Sequence, residues 1–425
     1  MKKNYNLLLF LLILVLNSCD KSMDDRMLSS SEIATLSTET ISVDDALCNL
    51  TEAIIDLNLE TKSRTTATLS KDNVFAIGAK ELSVTTKSND DFLPDTLLYA
   101  INFMDGGFAI MAGNSKINEP IMCITEQGSI SVDDISKGVG MLNGTIGTKS
   151  CESNDDEEFE AVGKQYLYSL LVSAAILDYN DTISLQETLI TKESGSSTIG
   201  PLVRTKWDQG TPFDKFTPNN YAAGCVVVAV MQIMAYHERP YISQLNNVSS
   251  PWDTLKTVYP DTNYINAGSN LAQNQVAQLS VEIGNSNNCD VSYTATGSSS
   301  TVTKAKKTFE NYGYDVTKHI GCVKGDRKRI DSSLANKRPV YMQGQRKDAV
   351  TGDQKGHAWV IDGYKGDLYH INWGWHGDAD GYYAKGVFET ASINSYASTD
   401  PKFNSYTGSN NRNYYHYFRY LICAI

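Results

Sequence analysis

A cysteine, a histidine and an asparagine, far apart in the sequence, are the residues of this chain best suited to covalent chemistry. Cys225 opens an apolar segment that runs to His237 and stops before Pro240. His357 begins a strongly apolar stretch, and Asn372 closes the next one. A thiol supplies a nucleophile, an imidazole moves its proton, and an amide can fix the tautomer and orientation of the imidazole. This combination predicts nucleophilic catalysis by a cysteine.

The segment from Cys225 to His237 must position the thiol. We interpret it as a buried helix that begins at Cys225, where free backbone N–H groups and the helix dipole favour a thiolate. The β-branched run at 226–228 leaves a buried strand as the competing interpretation, because propensity alone does not decide between them. A cysteine at the head of an apolar segment, taken by itself, is more often a packed core residue.

The histidine and the asparagine are predicted to lie on one antiparallel hairpin. The first strand begins near His357, residues 365–367 form the turn, and the return strand ends at Asn372. A hairpin of this length brings Asn372 back to the end at which His357 lies. The sequence therefore predicts that the asparagine orients the histidine.

Metal binding is the main chemical alternative for a site with cysteine and histidine. The chain has no CxxC motif, and the spacing of His357, His370 and His376 matches no common zinc pattern. A calcium loop counted from Asp378 lacks an oxygen ligand and a glycine at its fifth and sixth positions. We expect no metal and no cofactor.

Composition excludes several classes of protein. The chain has 425 residues, 41% of them hydrophobic, and a net charge of −12. Such a chain is too rich in core-forming residues to be disordered and too acidic for a broad nucleic-acid-binding surface. Beyond residue 22, no apolar run reaches the roughly 18 residues of a membrane-spanning helix. We expect an acidic globular protein without a nucleic-acid partner, and a monomer as the default.

Residues 1–19 have the pattern of an export signal. A positive start at residues 1–3 precedes an apolar run from Leu7 to Leu16. The run ends in Leu16-Asn17-Ser18-Cys19, which resembles the bacterial lipobox, whose cysteine receives lipid. An ordinary secretory signal is the alternative. We expect export, with Cys19 anchoring the chain by lipid to the outer membrane or the cell surface and no other membrane contact.

The chain divides into two halves of different composition. All five tryptophans and all six histidines lie beyond residue 200, so we place a boundary near 185–205. The first half has the pattern of a small α+β domain and gathers no residues able to do chemistry. The predicted parts are a linker at 20–40, the first domain at 41–200 and the second at 201–425. Within the first domain we predict a helix capped by Ser42 and ending near Asn58, strands at 97–103 and 107–113, a flexible acidic segment near 147–160, and a helix at 158–177.

Several short motifs together resemble the streptopain-like cysteine peptidases, a bacterial branch of the papain-like proteases. The motifs lie at 207–213, 224–225, 232–237, 339–344, 356–363 and 372–375. The resemblance implies an α+β, papain-like fold of two subdomains, with a helix bearing the nucleophile and an antiparallel sheet bearing the histidine. Residues 41–200, notably 106–113, resemble the inhibitory prodomain of that family. The match covers roughly residues 200–425 and is fainter before them.

The resemblance also implies catalytic roles. Cys225 would be the nucleophile, His357 the general base and acid, and Asn372 the residue that orients His357. Gln209 and the backbone N–H of Cys225 would form the oxyanion hole, although the offset of sixteen residues between them is longer than usual in papain-like enzymes. Trp373 would shield the hydrogen bond between Asn372 and His357 from water.

Three further positions match family residues near the substrate. Gly356 corresponds to a glycine that the substrate backbone approaches closely. Gln343 competes with Gln209 as a candidate for a polar role near the cleft, and Trp373 is also a candidate for substrate binding. The loop 294–300 falls where the family has a substrate-contacting loop. His376 departs from the glycine expected after Trp375 in the active-site loop.

The function implied is that of a cysteine endopeptidase made as an inactive zymogen, with proteins or peptides as substrates. The family resemblance implies a preference for a hydrophobic residue at the second position before the scissile bond. The prodomain would inhibit until self-processing within 147–205 removes it, and cleavage would release the catalytic half from the Cys19 anchor unless the pieces stay associated. The alternatives are a catalytically inactive surface lipoprotein of the same fold and a related thiol acyltransferase.

Overall fold

One antiparallel sheet joins both halves of the chain in the computed structural model. The structure describes residues 40–57, 59, 69–82, 93–104, 106–143, 156–180, 198–260, 267–320, 326–347, 354–388 and 417–425. The predicted signal at 1–19 with Cys19, nearly all of the linker at 20–40, and residues 147–155 of the predicted acidic segment lie outside these residues. Among the helices described, none is long and apolar enough to cross a membrane.

The first half contributes four strands and four helices to the described residues. In chain order these are α1 (Val43–Asp56), β1 (Val74–Ile77), α2 (Ala79–Leu82), β2 (Leu98–Asn102), β3 (Phe108–Ala112), β4 (Ile121–Thr125), α3 (Val132–Asn143) and α4 (Asp156–Asn180). The Ser42 side chain accepts a hydrogen bond from the Asp45 backbone N–H, as an N-cap should. The predicted first helix, the β2–β3 hairpin and the later helix are all confirmed.

The second half supplies the remaining elements. They are β5 (Thr198–Ile199), α5 (Cys225–His237), α6 (Trp252–Leu255), α7 (Asn270–Gly284), β6 (Ser292–Thr294), β7 (Gly297–Ser299), α8 (Val302–Asn311), β8 (Asp315–Ile320), α9 (Arg327–Ala335), β9 (Val340–Lys347), β10 (Gln354–Lys365), β11 (Leu368–Asn372), β12 (Gly381–Ala384) and β13 (Tyr417–Ala424). Segment 226–228 is helical, so the strand interpretation is wrong. A fully buried helix can carry β-branched residues because packing outweighs their small propensity penalty.

The order of strands places the two halves edge to edge. The large sheet runs β1-β2-β3-β4-β12-β11-β10-β9-β13-β8, and β5 pairs with β10. The junction is the antiparallel pair β4–β12, in which Thr125 faces Gly381 and Cys123 faces Tyr383. The first half thus continues the sheet of the second.

Strand β10 separates two hydrophobic cores. Trp359 and Ile361 belong to the core that includes the first half and α4, whereas Ala358 and Val360 belong to the core around α5. Alternate side chains of a strand point to opposite faces, so β10 is buried on both. A buried helix on one face of an antiparallel sheet confirms the predicted α+β, papain-like arrangement, with Cys225 on the helix and His357 on the sheet.

Candidate active site

Cys225 is the first residue of α5, and part of its surface is exposed. Gly224 precedes it with φ 95°, a left-handed conformation that glycine adopts without strain. A Cβ at Gly224 would also lie 3.3 Å from Ser298 Cβ. The other free cysteines among the described residues are fully buried, namely Cys123, Cys289 and Cys423. Of these four described thiols, Cys225 is therefore the one with exposed surface.

The surroundings of the Cys225 sulfur act on its pKa in opposite directions. Burial raises the pKa above its ordinary 9.0, while backbone N–H groups of Ala358, Val226 and Cys225 itself lower it in part. Ala358 directly follows His357 on β10. The fold thus brings the thiol beside the histidine-bearing strand, as the sequence predicts.

His357 is almost fully buried and forms its hydrogen bond with a backbone carbonyl. Its Nε2 lies 2.8 Å from the oxygen of Trp373. A carbonyl only accepts, so Nε2 carries the proton and the neutral ring has its lone pair on Nδ1. Burial lowers the pKa of His357 to about 4, and the Trp373 carbonyl offsets only part of that effect. The imidazole is therefore neutral at physiological pH.

Tryptophan side chains surround this imidazole. The rings of Trp375 and His357 have centroids 4.7 Å apart, while those of Trp373 and Trp359 lie 6.1 and 6.3 Å away. Only 3% of His357 is exposed. In this arrangement the His357 imidazole is covered.

Asn372 does not bond to His357 in this structure. Its Oδ1 accepts from Gln232 Nε2 at 2.7 Å and from the Gly374 N–H at 3.1 Å, and its Nδ2 donates to the Thr205 carbonyl at 3.0 Å. The strand register pairs Asn372 with Val360, three residues beyond His357, so the histidine meets the carbonyl of the following residue instead. The expected orienting bond is therefore absent here, and that role in the active enzyme stays a prediction.

Trp373 lies in the core rather than on an open surface. It is fully buried, and its backbone N–H donates to Asp380 Oδ1 at 2.8 Å. Its indole stacks on Trp375 with centroids 5.2 Å apart. The predicted substrate contact is therefore not available to Trp373 in this arrangement.

Gln209 lies close to the start of α5 despite the long offset. Its carbonyl accepts from the Ala223 N–H at 2.8 Å, two residues before Cys225. Residues 210–222 form a series of turns between these points, so the extra length is absorbed by the loop. The backbone of Gln209 thus lies beside the start of α5, and the oxyanion role of its side chain stays a prediction.

Gln343 and Gly356 lie on neighbouring strands. Gln343 accepts from the Tyr341 hydroxyl at 3.1 Å and donates to the Ser300 carbonyl at 3.5 Å, so it contacts the end of the loop 294–300. A Cβ at Gly356 would lie 2.5 Å from the Gly344 carbonyl oxygen of β9. Close contact between β9 and β10 therefore accounts for this glycine, and the substrate roles of both residues stay predictions.

A second polar cluster forms around the buried side chains of His370 and Lys206. His370 Nδ1 is 2.6 Å from Asp362 Oδ1, and its Nε2 is 3.4 Å from Glu126 Oε1. Lys206 Nζ lies 3.1 Å from Asp380 Oδ2 and 3.7 Å from Glu126 Oε2. Burial lowers the pKa of His370, but the two carboxylates outweigh it and raise that pKa to about 10. Glu126 of the first half thus places a negative charge beside two buried cations of the second half, Lys206 and His370.

Sequence reasoning missed two residues that the structure brings into the site. Gln232 is fully buried on α5 and bonds to Asn372. Its signal was available, since it is a polar residue within an otherwise apolar helix. Trp375 gave no such signal, because its contact with His357 depends on the path of the loop.

No group of three or more His, Cys, Asp or Glu among the described residues could hold a metal ion.

Comparison with known proteins places these features in a family context. Residues 207–383 match the Peptidase C10 family. Streptopain of Streptococcus pyogenes serotype M1 is 27% identical over 334 residues, which cover 67% of this chain and 73% of streptopain. The thiol protease/hemagglutinin PrtT of Porphyromonas gingivalis is 26% identical over 224 residues, covering 47% of this chain and 25% of PrtT.

Two solved structures are also similar. A fragment of Prevotella intermedia prointerpain A has a TM-score of 0.48 and 17% identity, and the match covers 77% of this chain and 96% of the fragment. Active wild-type interpain A from the same organism has a TM-score of 0.39 and 22% identity, covering 53% of this chain and 94% of that one.

Proposed function

We propose that this chain is a cysteine endopeptidase of the Peptidase C10 family, which its residues 207–383 match. We propose also that it is made as an inactive zymogen. The observation that carries the proposal is the bond from His357 Nε2 to the Trp373 carbonyl, which withholds the histidine from Asn372. Residues 41–200 act as the inhibitory prodomain. Proteins or peptides are the substrates.

In the active enzyme, the Cys225 thiolate attacks the peptide carbonyl carbon, and the carbonyl oxygen becomes an oxyanion. The Cys225 backbone N–H and the Gln209 side chain stabilise that charge. His357, protonated by the thiol, gives this proton to the leaving amine as the C–N bond breaks and a thioester remains. Water, deprotonated by His357, then hydrolyses the thioester and regenerates the thiol.

Latency follows from occupied hydrogen-bonding positions. The Asn372 oxygen has two acceptor positions, and both are filled by Gln232 and Gly374. His357 can reach Asn372 only if one donor leaves. Gly374 belongs to the loop 373–380. Movement of this loop would therefore free an acceptor position on the Asn372 oxygen and at the same time move Trp375 away from the His357 imidazole.

The first half holds that loop. The helix α4 packs Gly163 against the Trp375 indole, because a Cβ at Gly163 would lie 2.7 Å from Trp375 Cζ2. Lys164 of the same helix forms an ion pair with Asp378. The Glu126 N–H donates to the Asp380 carbonyl at 2.7 Å. These contacts support a prodomain that keeps the loop closed over the histidine.

The test compares the full-length chain with its Cys225→Ala variant over time on a denaturing gel under mild reduction. We expect the wild type to shorten to a fragment the size of residues 201–425 and the variant to stay intact. If neither shortens, an added protease should remove the first half and allow a thiol-reactive peptide to label Cys225. Failure to label after that removal would favour the catalytically inactive lipoprotein.

We propose further that the chain is exported and anchored by lipid at Cys19. The apolar run before Cys19 and the lipobox pattern support this. We expect Cys19→Ser to move the protein from membranes to the soluble fraction, whereas Ser18→Ala, which keeps a small residue, should leave it membrane-bound. Membrane association of both variants would count against the anchor.

A further inference from the structure

We infer that Gln232 is a positioning residue for the reaction, because it fixes the orientation of the Asn372 amide and so the side on which the accepting oxygen lies. The inference rests on the proposed peptidase function of Cys225 and His357. Gln232 belongs to α5, the helix that carries the nucleophile, and is fully buried. It would act on the histidine only through Asn372.

A closed ring of hydrogen bonds defines the orientation of both amides. The Thr205 hydroxyl donates to Gln232 Oε1 at 3.1 Å, so Gln232 Nε2 is turned toward Asn372. Gln232 Nε2 then donates to Asn372 Oδ1 at 2.7 Å, and Asn372 Nδ2 donates to the Thr205 carbonyl at 3.0 Å. At most 2% of each of the three residues is exposed. No water is needed to complete the ring.

A flipped Asn372 amide would break every one of its bonds. Its Nδ2 would face two other donors, the Gln232 amide and the Gly374 N–H, and its oxygen would face the Thr205 carbonyl. Buried donors that face donors are left unsatisfied, which is costly. The ring therefore holds the Asn372 oxygen on the acceptor side.

The two donors to Asn372 Oδ1 differ in what holds them. Gln232 is part of the buried helix, whereas Gly374 belongs to the loop 373–380, which the first half contacts. When that loop moves, Gly374 can leave while Gln232 stays. One acceptor position then becomes free for the Nε2–H of His357, which moves from the Trp373 carbonyl to the asparagine. The tautomer is unchanged, and Nδ1 remains the base.

This arrangement predicts a kinetic effect without a binding effect. Without Gln232, the Asn372 amide loses its fixed orientation and stabilises the imidazolium less well. We expect Gln232→Leu in the processed enzyme to lower kcat by about tenfold or more with KM unchanged. The alkaline limb of the pH profile should move to lower pH, since a less stabilised imidazolium loses its proton earlier.

Gln275→Leu is the matched control. Gln275 is also a buried glutamine on a helix, and its Oε1 accepts from the Ser249 and Ser250 N–H groups at 2.6 and 2.8 Å. The experiment measures kcat, KM and their pH dependence for the wild type and both variants on one peptide substrate, with unfolding midpoints alongside. Gln275→Leu should lose stability but keep the wild-type pH profile.

The outcomes separate the inference from the proposed function. Wild-type kcat and pH profile in Gln232→Leu would overturn the inference alone, as would an equal loss in both variants. An inactive processed wild type would overturn the proposed function, and the inference with it. If Gln232→Leu does not fold, Thr205→Val removes one bond of the ring. The same direction of change is then expected, and an unaltered pH profile would overturn the inference.

Discussion

At the scale of single residues, the thiol and the imidazole are both held neutral. Burial raises the pKa of Cys225 above 9.0, and burial lowers the pKa of His357 to about 4. At neutral pH the intact chain therefore contains a thiol and a neutral imidazole. A cysteine nucleophile needs the thiolate, which a neighbouring imidazolium stabilises. The resting chemistry of these two groups agrees with a latent enzyme.

The first prediction concerns the reactivity of Cys225 toward iodoacetamide. In the intact chain, labelling should become fast only above pH 9, because the thiol must lose its proton without help from His357. After removal of the first half, labelling should be fast at neutral pH. Mass spectrometry of the labelled peptide measures both rates, and Cys225→Ser supplies the background. Equal rates at pH 7 before and after removal would contradict this account.

At the scale of elements, the loop 373–380 has a backbone that needs support. Gly374 and Gly377 have positive φ values of 73° and 83°, and so do the non-glycine residues His376 and Ala379, at 55° and 56°. Non-glycine residues in this region carry a conformational cost, which the surrounding contacts must offset. Contacts from the first half supply part of that support, so their removal favours another conformation.

The second prediction tests the contact between α4 and the loop. Lys164→Ala removes the ion pair with Asp378, which is only about one quarter exposed. Such a pair contributes up to about 1 kcal/mol, so self-processing should become up to about fivefold faster. Lys137→Ala is the control, because Lys137 forms an exposed ion pair with Asp133 on α3. Gel densitometry gives both rates, and equal rates for the two variants would exclude a specific role for Lys164.

At the scale of the whole molecule, the continuous sheet affects how readily the second half separates from the first half after cleavage. The pairing of β4 with β12 and the contacts of Glu126 with Lys206 and His370 all cross between the halves. A cut between residues 147 and 205 breaks the chain but none of these interactions. We therefore expect the halves to stay associated after cleavage until β4 and β12 separate, which delays release from a Cys19 anchor.

The third prediction concerns stability as a function of pH. The folded pKa of His370, about 10, is above the unfolded value of 6.5, so its contribution is fully present below pH 6.5 and is lost as pH rises toward 10. His370→Gln in the Cys225→Ala background should lower the free energy of unfolding by about 3–5 kcal/mol at pH 6.5, because the buried Asp362 carboxylate loses its positively charged partner.

The measurement is urea unfolding of Cys225→Ala with and without His370→Gln at pH 6.5, 7.5 and 8.5. The difference between the two proteins should shrink as pH rises. The difference isolates His370 from other groups that titrate, such as the buried cysteines. A difference that stays constant or grows with pH would show that His370 is not charged in the folded state.

Local signals in the sequence were sufficient to predict several helices and strands and to indicate the kind of chemistry. Ser42 with its acidic first turn indicated α1. The apolar run from Cys225 to His237 indicated α5, although it left a strand as the alternative. Turn residues 365–367 marked the hairpin that carries His357 and Asn372. Such signals depend on neighbours in the chain, which the sequence displays directly.

Tertiary structure alone decided how those residues are bonded. The sequence predicted that a cysteine, a histidine and an asparagine would form one site, but not that His357 would bond to the Trp373 carbonyl while Asn372 bonded to Gln232. Nor did it indicate that the first half would extend the sheet of the second half and pack Gly163 against Trp375. Hydrogen-bond partners depend on strand register and on shifts of a few ångströms between distant segments. Those are set by the packing of the whole chain.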